Sequence, residues 1–144
     1  MIQLCLDHLV SDEHKDGIYR TVILNCAKIA TDKHGCCVIQ KILNFKNSTI
    51  QRALVNVSLA SLSQLINDQF GNYVVQQILK YNDNEITFKV AEFICENLAY
   101  YCKQKISSNV VESAVRSRSS PESQLYFYQF LLKNFNIFKD IICD

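Results

Sequence analysis

Three groups of side chains recur along the chain, and each combines polar tips with a residue able to lie against a flat ligand. These groups, each called a polar set, are Cys36/Cys37/Gln40, Asn72/Tyr73/Gln76 and Ser108/Asn109/Glu112. Equivalent residues are 36 positions apart, and the first and last members of a set are four positions apart. Residues at i and i+4 share one face of an α-helix, so each set is predicted to address one ligand group from one side.

The polar tips differ between the sets, and the differences match the edges of nucleobases. Glu112 is ionised at neutral pH and only accepts hydrogen bonds, which suits the adjacent N1–H and N2–H₂ donors of guanine, with Ser108 alongside. Asn72 and Gln76 each carry a donor and an acceptor, which suits the acceptor–donor–acceptor edge of uracil. These two sets therefore predict selective contacts with two different bases.

The remaining residues provide a third base contact and a stacking surface. Gln40 can pair with the donor–acceptor edge of adenine, while Cys36 offers a small, weakly polar contact to the adenine C2–H. Tyr73 can stack on a base face, and such stacking contributes about 1–3 kcal/mol per base in single-strand binders. Cys37 and Asn109 are poorer stacking platforms. All nine members of the three sets are therefore candidate base-contacting residues.

The segments that carry the polar sets are predicted to be amphipathic helices, with an apolar stripe opposite each set. The predicted buried residues are Val38, Ile39, Ile42, Leu43, Val74, Val75, Ile78, Leu79, Val110, Val111, Ala114 and Val115. Further helical segments fill the intervals. A repeat of this length is typical of a solenoid of stacked helical units, so the fold is predicted to be all-α. The step between units is predicted to place the three sets in a row on one concave surface.

The repeat divides the chain into about three complete units, with partial units at both ends. The predicted divisions are the tail of a preceding repeat at 1–10, full repeats at 11–46, 47–82 and 83–118, and the start of a following repeat at 119–144. The one predicted non-helical stretch is 116–121, where Pro121 starts the next helix. We interpret the chain as part of a longer array.

Composition excludes several classes of protein. The 144 residues are 49% hydrophobic and 20% charged, with one proline and three glycines, which indicates a substantial apolar core and no disordered chain. No run of about 18 apolar residues occurs, so no membrane span is expected. Seven cysteines without regular pair spacing predict buried thiols in a reducing compartment. The first residues lack a basic segment before an apolar one, so no signal peptide is expected, and the expected location is cytoplasmic.

The net charge of +1 is low for a nucleic-acid-binding protein, because neutralised phosphates supply much of the affinity of such proteins. A basic surface would have to be local, with acidic residues segregated elsewhere. The acidic residues concerned are Asp12, Glu13, Asp16, Glu85, Glu92 and Glu96.

An enzyme is a poor interpretation of the cysteines beside His34. His34 and Cys37 are the only histidine and cysteine at that site with helical spacing, and the chain has no CxxC pair. His34 stands where Phe70 and Ile106 stand in the other copies, which predicts a packing residue at the start of a helix. We therefore expect no catalytic residue, no metal site and no cofactor.

The repeated segments resemble successive units of the Pumilio (PUF) family of RNA-binding proteins. The segments are HGCCVIQ (34–40), FGNYVVQ (70–76) and SSNVVE (107–112). The resemblance covers nearly the whole chain and implies a right-handed, crescent-shaped α-solenoid whose concave face binds single-stranded RNA, one base per repeat. It also implies control of messenger RNA translation or decay through 3′ UTR elements, with regulatory proteins on the convex face.

The resemblance implies base preferences residue by residue. In the family, Cys/Gln pairs read adenine, Asn/Gln pairs read uracil and Ser/Glu pairs read guanine, with chain and RNA antiparallel. The implied core is 5′-GUA-3′, with guanine at Ser108/Glu112, uracil at Asn72/Gln76 and adenine at Cys36/Gln40. This order is similar to the fifth to seventh repeats of an eight-repeat domain, which read the GUA of UGUA elements.

Two features leave other interpretations open. The residue after the last member of each set is often basic in the family, but here it is Lys41, then Gln77, then Ser113. With the low net charge, this departure is typical of a helical-repeat protein-interaction module with lost or weak RNA binding. A polar helix face in a protein-binding solenoid of armadillo or HEAT type is a further alternative.

Overall fold

The computed structural model shows a helical chain. It describes residues 12–45, 48–80, 83–117, 121–136 and 139, and within these ranges no β-strand is present. The helices are α1 (Asp12–Leu24), α2 (Cys26–Ala30), α3 (Gly35–Leu43), α4 (Ser48–Ala60), α5 (Leu62–Asn67), α6 (Gly71–Leu79), α7 (Asn84–Glu96), α8 (Leu98–Lys103), α9 (Ser107–Arg116) and α10 (Pro121–Lys133). The predicted tail at 1–10 lies outside the described residues.

The helices repeat in groups of three. Helices α1, α4 and α7 each have 13 residues, and they begin at Asp12, Ser48 and Asn84, which are 36 positions apart. Each is followed by a short helix of five or six residues (α2, α5 or α8). The third helix of each group has nine or ten residues and carries one polar set (α3, α6 or α9). Helix α10 again has 13 residues and begins a fourth group.

The boundary between the third and fourth groups differs from the prediction. Arg116 is the last residue of α9, so its predicted place in the non-helical stretch 116–121 is wrong, whereas Pro121 begins α10 as predicted. Ser117 ends α9 with extended backbone angles, φ −62° and ψ 119°. Pro121 suits a first helical position because its fixed φ is helical and an N–H there would have no intrahelical partner.

Contacts divide the chain into two compact units, and the first comprises residues 1–74. In this unit α2 packs against both α3 and α4, and α3 also packs against α4. The Gln51 side chain on α4 donates from Nε2 to the carbonyl oxygen of Leu43 at the end of α3, 2.6 Å away. Leu54 on the same helix is fully buried. Apolar packing and a buried amide thus join the first polar-set helix to the long helix that follows it.

The second unit, residues 75–144, is built around α7. Helices α9 and α10 both pack against α7, and α9 also packs against α8. Phe127 on α10 is buried. The neighbouring Tyr126 meets Phe88 on α7 edge to face, with ring centroids 5.2 Å apart. The third polar-set helix therefore rests on the long helix of its own group.

The apolar stripes of the polar-set helices are buried, as predicted. The buried stripe residues are Val38, Ile39, Ile42, Leu43, Val74, Val75, Ile78, Leu79, Val110, Val111 and Ala114. Val115 is half-buried and is the one predicted stripe residue outside the core. Because each stripe faces inward, the opposite face of each helix points away from its core.

Close backbone approach shapes the start of the polar-set helices. A Cβ at Gly35 would collide with the carbonyl oxygen of Ile29, and one at Gly71 would make a tight contact of 3.0 Å with Cα of Leu65. The equivalent residue in the third group is Ser107, whose Oγ donates to the carbonyl oxygen of Tyr101 at 3.1 Å. Ser107 is fully buried. The third group therefore has a buried hydrogen bond where the other two have a glycine contact.

Gly35→Ala is expected to lower the free energy of unfolding by about 1–3 kcal/mol, because the backbone must move to relieve the collision with Ile29. Gly17→Ala on α1 is the matched control, since nothing lies within 4 Å of an added Cβ there. That variant is expected to gain up to about 1 kcal/mol from helix propensity. Urea denaturation followed by circular dichroism measures both. Equal stability of Gly35→Ala and the wild type would contradict the close approach.

Candidate nucleic-acid interface

Each polar set lies on a single helix, namely α3, α6 or α9. The exposed members are Cys37, Tyr73, Asn109 and Glu112, the half-buried members are Gln40, Gln76 and Ser108, and the buried members are Cys36 and Asn72. Cys36 and Asn72 are each only 3% exposed, so the outward position predicted for them is wrong.

Cys36 and Asn72 are buried because their side chains fold back onto the turn before the helix. Helical side chains tilt toward the N-terminus, so a residue in the first turn lies over the preceding turn. Cys36 donates from Sγ to the carbonyl oxygen of Lys33 at 3.4 Å. Asn72 donates from Nδ2 to the carbonyl oxygens of Asp68 and Gln69, both at 3.0 Å. Helical periodicity predicts the face of a helix but not this local hydrogen bonding.

The same backbone position accepts these hydrogen bonds in all three groups. Lys33, Gln69 and Lys105 are 36 positions apart, and each lies three residues before the first member of a set. In the third group Ser108 donates from Oγ and Asn109 from Nδ2 to the Lys105 carbonyl oxygen, at 3.3 and 3.2 Å. The donor of each first member is thus engaged by the protein itself. A ligand would meet chiefly the acceptor, or the sulfur and carbon atoms, of that side chain.

The two cysteines of α3 differ in their chemistry although their sulfur atoms are only 3.9 Å apart. Cys37 is exposed, whereas Cys36 is buried. Burial, followed by the interaction with Cys37, raises the pKa of the Cys36 thiol to about 11. Cys36 is therefore a neutral thiol at physiological pH and presents no charge to a ligand.

An aspartate holds the turn before α3 and before α6. Asp32 accepts with Oδ1 from the backbone N–H groups of His34 and Gly35, at 2.9 and 2.8 Å. These bonds lower the pKa of Asp32, with the Gly35 N–H as the main cause. Asp68 accepts two N–H groups in the same way, and Gln104 stands at the equivalent position before α9. The D-x-x-G pattern, repeated after 36 residues, is the sequence signal for this turn.

Two residues that the sequence analysis left outside the site contact members of the polar sets. Ser113 donates from Oγ to Oε1 of Gln76, 3.2 Å away. Arg116 forms an exposed ion pair with Glu112, with 2.9 Å between Nη2 and Oε1. The i,i+4 spacing of Glu112 and Arg116 could have indicated that pair, whereas no short-range pattern indicates the contact between Ser113 and Gln76.

Charge is distributed unevenly over the helices. Helix α6 carries no charged side chain, α3 carries only Lys41, and α9 carries Glu112 and Arg116. The acidic residues on other helices include Asp16 on α1 and Glu85, Glu92 and Glu96 on α7. These four acidic residues therefore lie on helices that carry no polar set, while the side chains of Asp12 and Glu13 lie outside the described residues.

Other kinds of site find no support within the described ranges. They contain no group of three His, Cys, Asp or Glu side chains arranged to hold a metal ion. Their five cysteines are free thiols, and the predicted burial holds for Cys26, Cys36 and Cys95 but not for the exposed Cys37. No helix in this part of the chain is long and apolar enough to cross a membrane. His34 is exposed, so its predicted packing role is wrong; the turn held by Asp32 places it ahead of the first turn of α3.

Repeated groups of a long, a short and a medium helix, with a polar set on each medium helix, define a helical-repeat protein of the α-solenoid class. A model of the Pumilio-family RNA binding repeat matches residues 1–23, 25–58 and 61–95. The chain therefore belongs to the Pumilio family of RNA-binding repeat proteins. This family is non-enzymatic, which confirms the prediction that the chain is not an enzyme. The third polar set lies beyond the matched residues.

Solved structures of this family share the fold. The Puf4 RNA-binding domain bound to the HO endonuclease RNA 3′ UTR recognition sequence is 30% identical, with a TM-score of 0.79, over 92% of this chain and 41% of its own. The Puf3 RNA-binding domain bound to the Cox17 RNA 3′ UTR recognition sequence site A is 30% identical, with a TM-score of 0.67, over 74% of this chain and 32% of its own. These similarities confirm the predicted all-α solenoid fold.

A sequence relative covers most of the chain. Pumilio homolog 12 of Arabidopsis thaliana is 34% identical over 116 residues, which are 81% of this chain and 19% of that protein. The chain thus spans about a fifth of the length of this relative.

Iodoacetamide near pH 8 is expected to modify Cys37 and to leave Cys36 unmodified in the folded chain. The thiolate is the reactive form, and a thiol with a pKa of about 11 is only about one part in a thousand ionised at that pH. Peptide mass spectrometry measures both sites, and Cys37→Ser isolates Cys36. Cys36 is expected to react only after unfolding in urea. Equal rates at the two cysteines would contradict the burial of Cys36.

Proposed function

We propose that the chain binds single-stranded RNA in a sequence-selective manner, with successive bases addressed by α9, α6 and α3. The preferred core is 5′-GUA-3′, antiparallel to the chain. One observation carries the proposal: the first member of each set donates a hydrogen bond to the carbonyl oxygen at position 33, 69 or 105. Because these first members are a cysteine, an asparagine and a serine, each helix has a different pattern of donors and acceptors. The RNA-bound Puf4 and Puf3 domains support the class of ligand.

Guanine is the base that fits Ser108 and Glu112. The Ser108 hydroxyl hydrogen is directed to Lys105, so the hydroxyl oxygen can accept from a base. The Glu112 carboxylate only accepts. Guanine is the RNA base that presents two adjacent donors, N1–H and N2–H₂, on its Watson–Crick edge. Arg116 beside Glu112 supplies a positive charge at this set.

Uracil fits the set on α6. Asn72 directs Nδ2 to the backbone and can offer Oδ1 to the uracil N3–H. Gln76 can offer Nε2 to a uracil carbonyl, since Ser113 donates to its Oε1. Tyr73 is 52% exposed and can stack on the base. The α6 set thus supplies an acceptor, a donor and a stacking surface.

Adenine fits the set on α3. Gln40 can pair with the N6–H and N1 edge of adenine. Cys36 is small and neutral, and its hydrogen is directed to Lys33, so it can lie against the adenine C2–H. A guanine here would place its N2 amine against the sulfur. This set therefore favours a purine without an amine at C2.

We further propose that the bound RNA is messenger RNA with UGUA-type elements in its 3′ UTR, and that binding lowers translation or promotes decay. The support is that both solved relatives are bound to 3′ UTR recognition sequences. Because the family is non-enzymatic, the decay activity in this proposal belongs to regulatory proteins that the chain recruits. Cytoplasm is the proposed location, since free thiols suit a reducing compartment.

An RNA containing GUA is expected to outcompete one containing CUA, and Glu112→Gln is expected to reduce that preference about tenfold. The carboxylate of Glu112 has one acceptor oxygen for each of the two guanine donors. A glutamine amide has only one oxygen, and its other group is itself a donor. A bidentate contact to a base contributes on the order of 1–3 kcal/mol of discrimination. Fluorescence anisotropy with a labelled GUA RNA and unlabelled competitors, at one fixed salt concentration, measures the ratio.

Glu85→Gln is the matched control for that experiment. Glu85 also forms an exposed i,i+4 ion pair, 2.7 Å from Lys89, but it lies on α7, which carries no polar set. This variant is expected to keep the wild-type preference for GUA over CUA. Equal binding of both RNAs by the wild type would refute the proposed core. An equal loss of the preference for GUA in both variants would show that the change in net charge, and not a contact with guanine, is the cause.

Tyr73→Ala is expected to weaken binding of the GUA RNA by about 5- to 150-fold, which corresponds to the loss of one stacked base. Tyr128→Ala is the matched control, because Tyr128 is 58% exposed and lies on α10, outside the polar sets. It is expected to leave the dissociation constant unchanged. Filter binding of a labelled RNA measures both variants. Equal losses in the two variants would speak against stacking at Tyr73.

A protein-interaction module is the second candidate function. The observation that favours it is the composition of α6, which provides no charged side chain for phosphates and buries Asn72. A defined peptide partner retained in ribonuclease-treated samples, together with no RNA binding at low salt, would support this function instead.

A further inference from the structure

The side chain of Ser113 reaches from α9 to the polar set of the preceding group. Its Oγ lies 3.2 Å from Oε1 of Gln76 and donates to it, in a contact that is partly buried. In the first two groups the equivalent positions hold Lys41 and Gln77. From the sequence alone, a serine at this position means only that a basic residue is missing. The structure shows that the serine forms a hydrogen bond to Gln76, which is proposed to contact a base.

A second serine joins the same two helices one turn later. Ser117 follows Ser113 by four residues and donates from Oγ to the carbonyl oxygen of Leu79, 3.2 Å away. Leu79 is the last residue of α6, where carbonyl groups lack intrahelical partners. Ser117 therefore binds α9 to the backbone of α6, whereas Ser113 binds it to the side chain of Gln76.

We propose that Ser113 is a positioning residue that sets base specificity at the neighbouring repeat, by holding the Gln76 amide in the orientation that suits uracil. This inference rests on the proposed function, in which Gln76 contacts a base. A glutamine side chain loses conformational freedom when it is fixed by a ligand. A hydrogen bond that exists before the RNA arrives reduces that loss on binding.

The bond from Ser113 also decides which end of the amide meets the base. With Oε1 of Gln76 turned to the Ser113 hydroxyl, Nε2 is the group directed to a base carbonyl. Uracil has a carbonyl on each side of its N3–H. Cytosine has its N4 amine in place of one of these carbonyl groups, so the Nε2 donor of Gln76 would face another donor. Ser113 favours the orientation that donates to a base, and its loss removes that bias between uracil and cytosine.

The test compares binding of GUA and GCA RNAs by the wild type, Ser113→Ala, Ser113→Thr and Ser117→Ala. Ser113→Ala is expected to lower the preference for uracil over cytosine by about three- to tenfold, as for the loss of one hydrogen bond. Ser113→Thr keeps a hydroxyl and is expected to keep the preference. Ser117→Ala is the matched control, since it loses a bond of the same length that does not involve the Gln76 amide.

Several outcomes would overturn the role of Ser113. An unchanged ratio of GUA to GCA binding in Ser113→Ala would do so, and so would an equal fall of that ratio in Ser117→Ala. The ratio of GUA to CUA binding depends on Glu112 and is expected to stay at the wild-type value in Ser113→Ala. A fall of that ratio as well would show a general structural effect and would also overturn the proposal.

A measurement without RNA separates this inference from the proposed function. In nuclear magnetic resonance spectra, the Gln76 side-chain amide is expected to have the same order in the wild type, Ser113→Thr and Ser117→Ala, and to be less ordered in Ser113→Ala. Equal mobility in the wild type and Ser113→Ala would refute the positioning contact itself. Failure of the wild type to prefer GUA over CUA would refute the proposed function, and with it the effect on uracil, even where the amide is ordered.

Discussion

Helices α3, α6 and α9 can bury their apolar stripes in only one rotation about the helix axis, and this constraint decides where the polar sets lie. Ile39 on α3, Val75 on α6 and Val110 on α9 are fully buried. Turning a helix by one residue would expose such side chains to solvent, and each exposed side chain would cost about 1.5–3 kcal/mol of folding free energy. Single hydrogen bonds contribute about 1 kcal/mol. Packing therefore selects the side of each helix that carries the polar set, and hydrogen bonds only refine the positions of its side chains.

Backbone carbonyl groups then decide what each polar set can recognise. The carbonyl oxygens at positions 33, 69 and 105 accept from a thiol, an amide and a hydroxyl, respectively. One backbone arrangement thus yields three surfaces, because cysteine, asparagine and serine differ in their side-chain donors and acceptors. The carbonyl oxygen recurs at the same position in each group, so in the proposed function a change of the first set member alone would alter the preferred base.

The sequence predicts the regular part of this structure and misses its local contacts. The buried stripe on α3 is predicted by its apolar residues at helical spacing. The prediction is robust because many side chains together decide which face of a helix is buried. The burial of Cys36 and the exposure of His34 depend instead on how a single turn is hydrogen bonded, which periodicity does not encode. The link from Ser113 to Gln76 joins residues 37 positions apart, and only packing of α9 beside the end of α6 brings them together.

The third group shows how the repeat changes while its helices persist. Gln104 and Ser107 stand where the other groups have aspartate and glycine, and Ser113 follows Glu112 where the first group has a lysine. In two of these positions a serine forms a hydrogen bond within the protein, to the carbonyl of Tyr101 or to Gln76. Such bonds order the side chains, but they add no positive charge that attracts phosphates. Attraction to phosphates supplies most of the salt-dependent affinity of nucleic-acid-binding proteins. In the proposed function, the chemistry of this group therefore favours selectivity between bases over strength of binding.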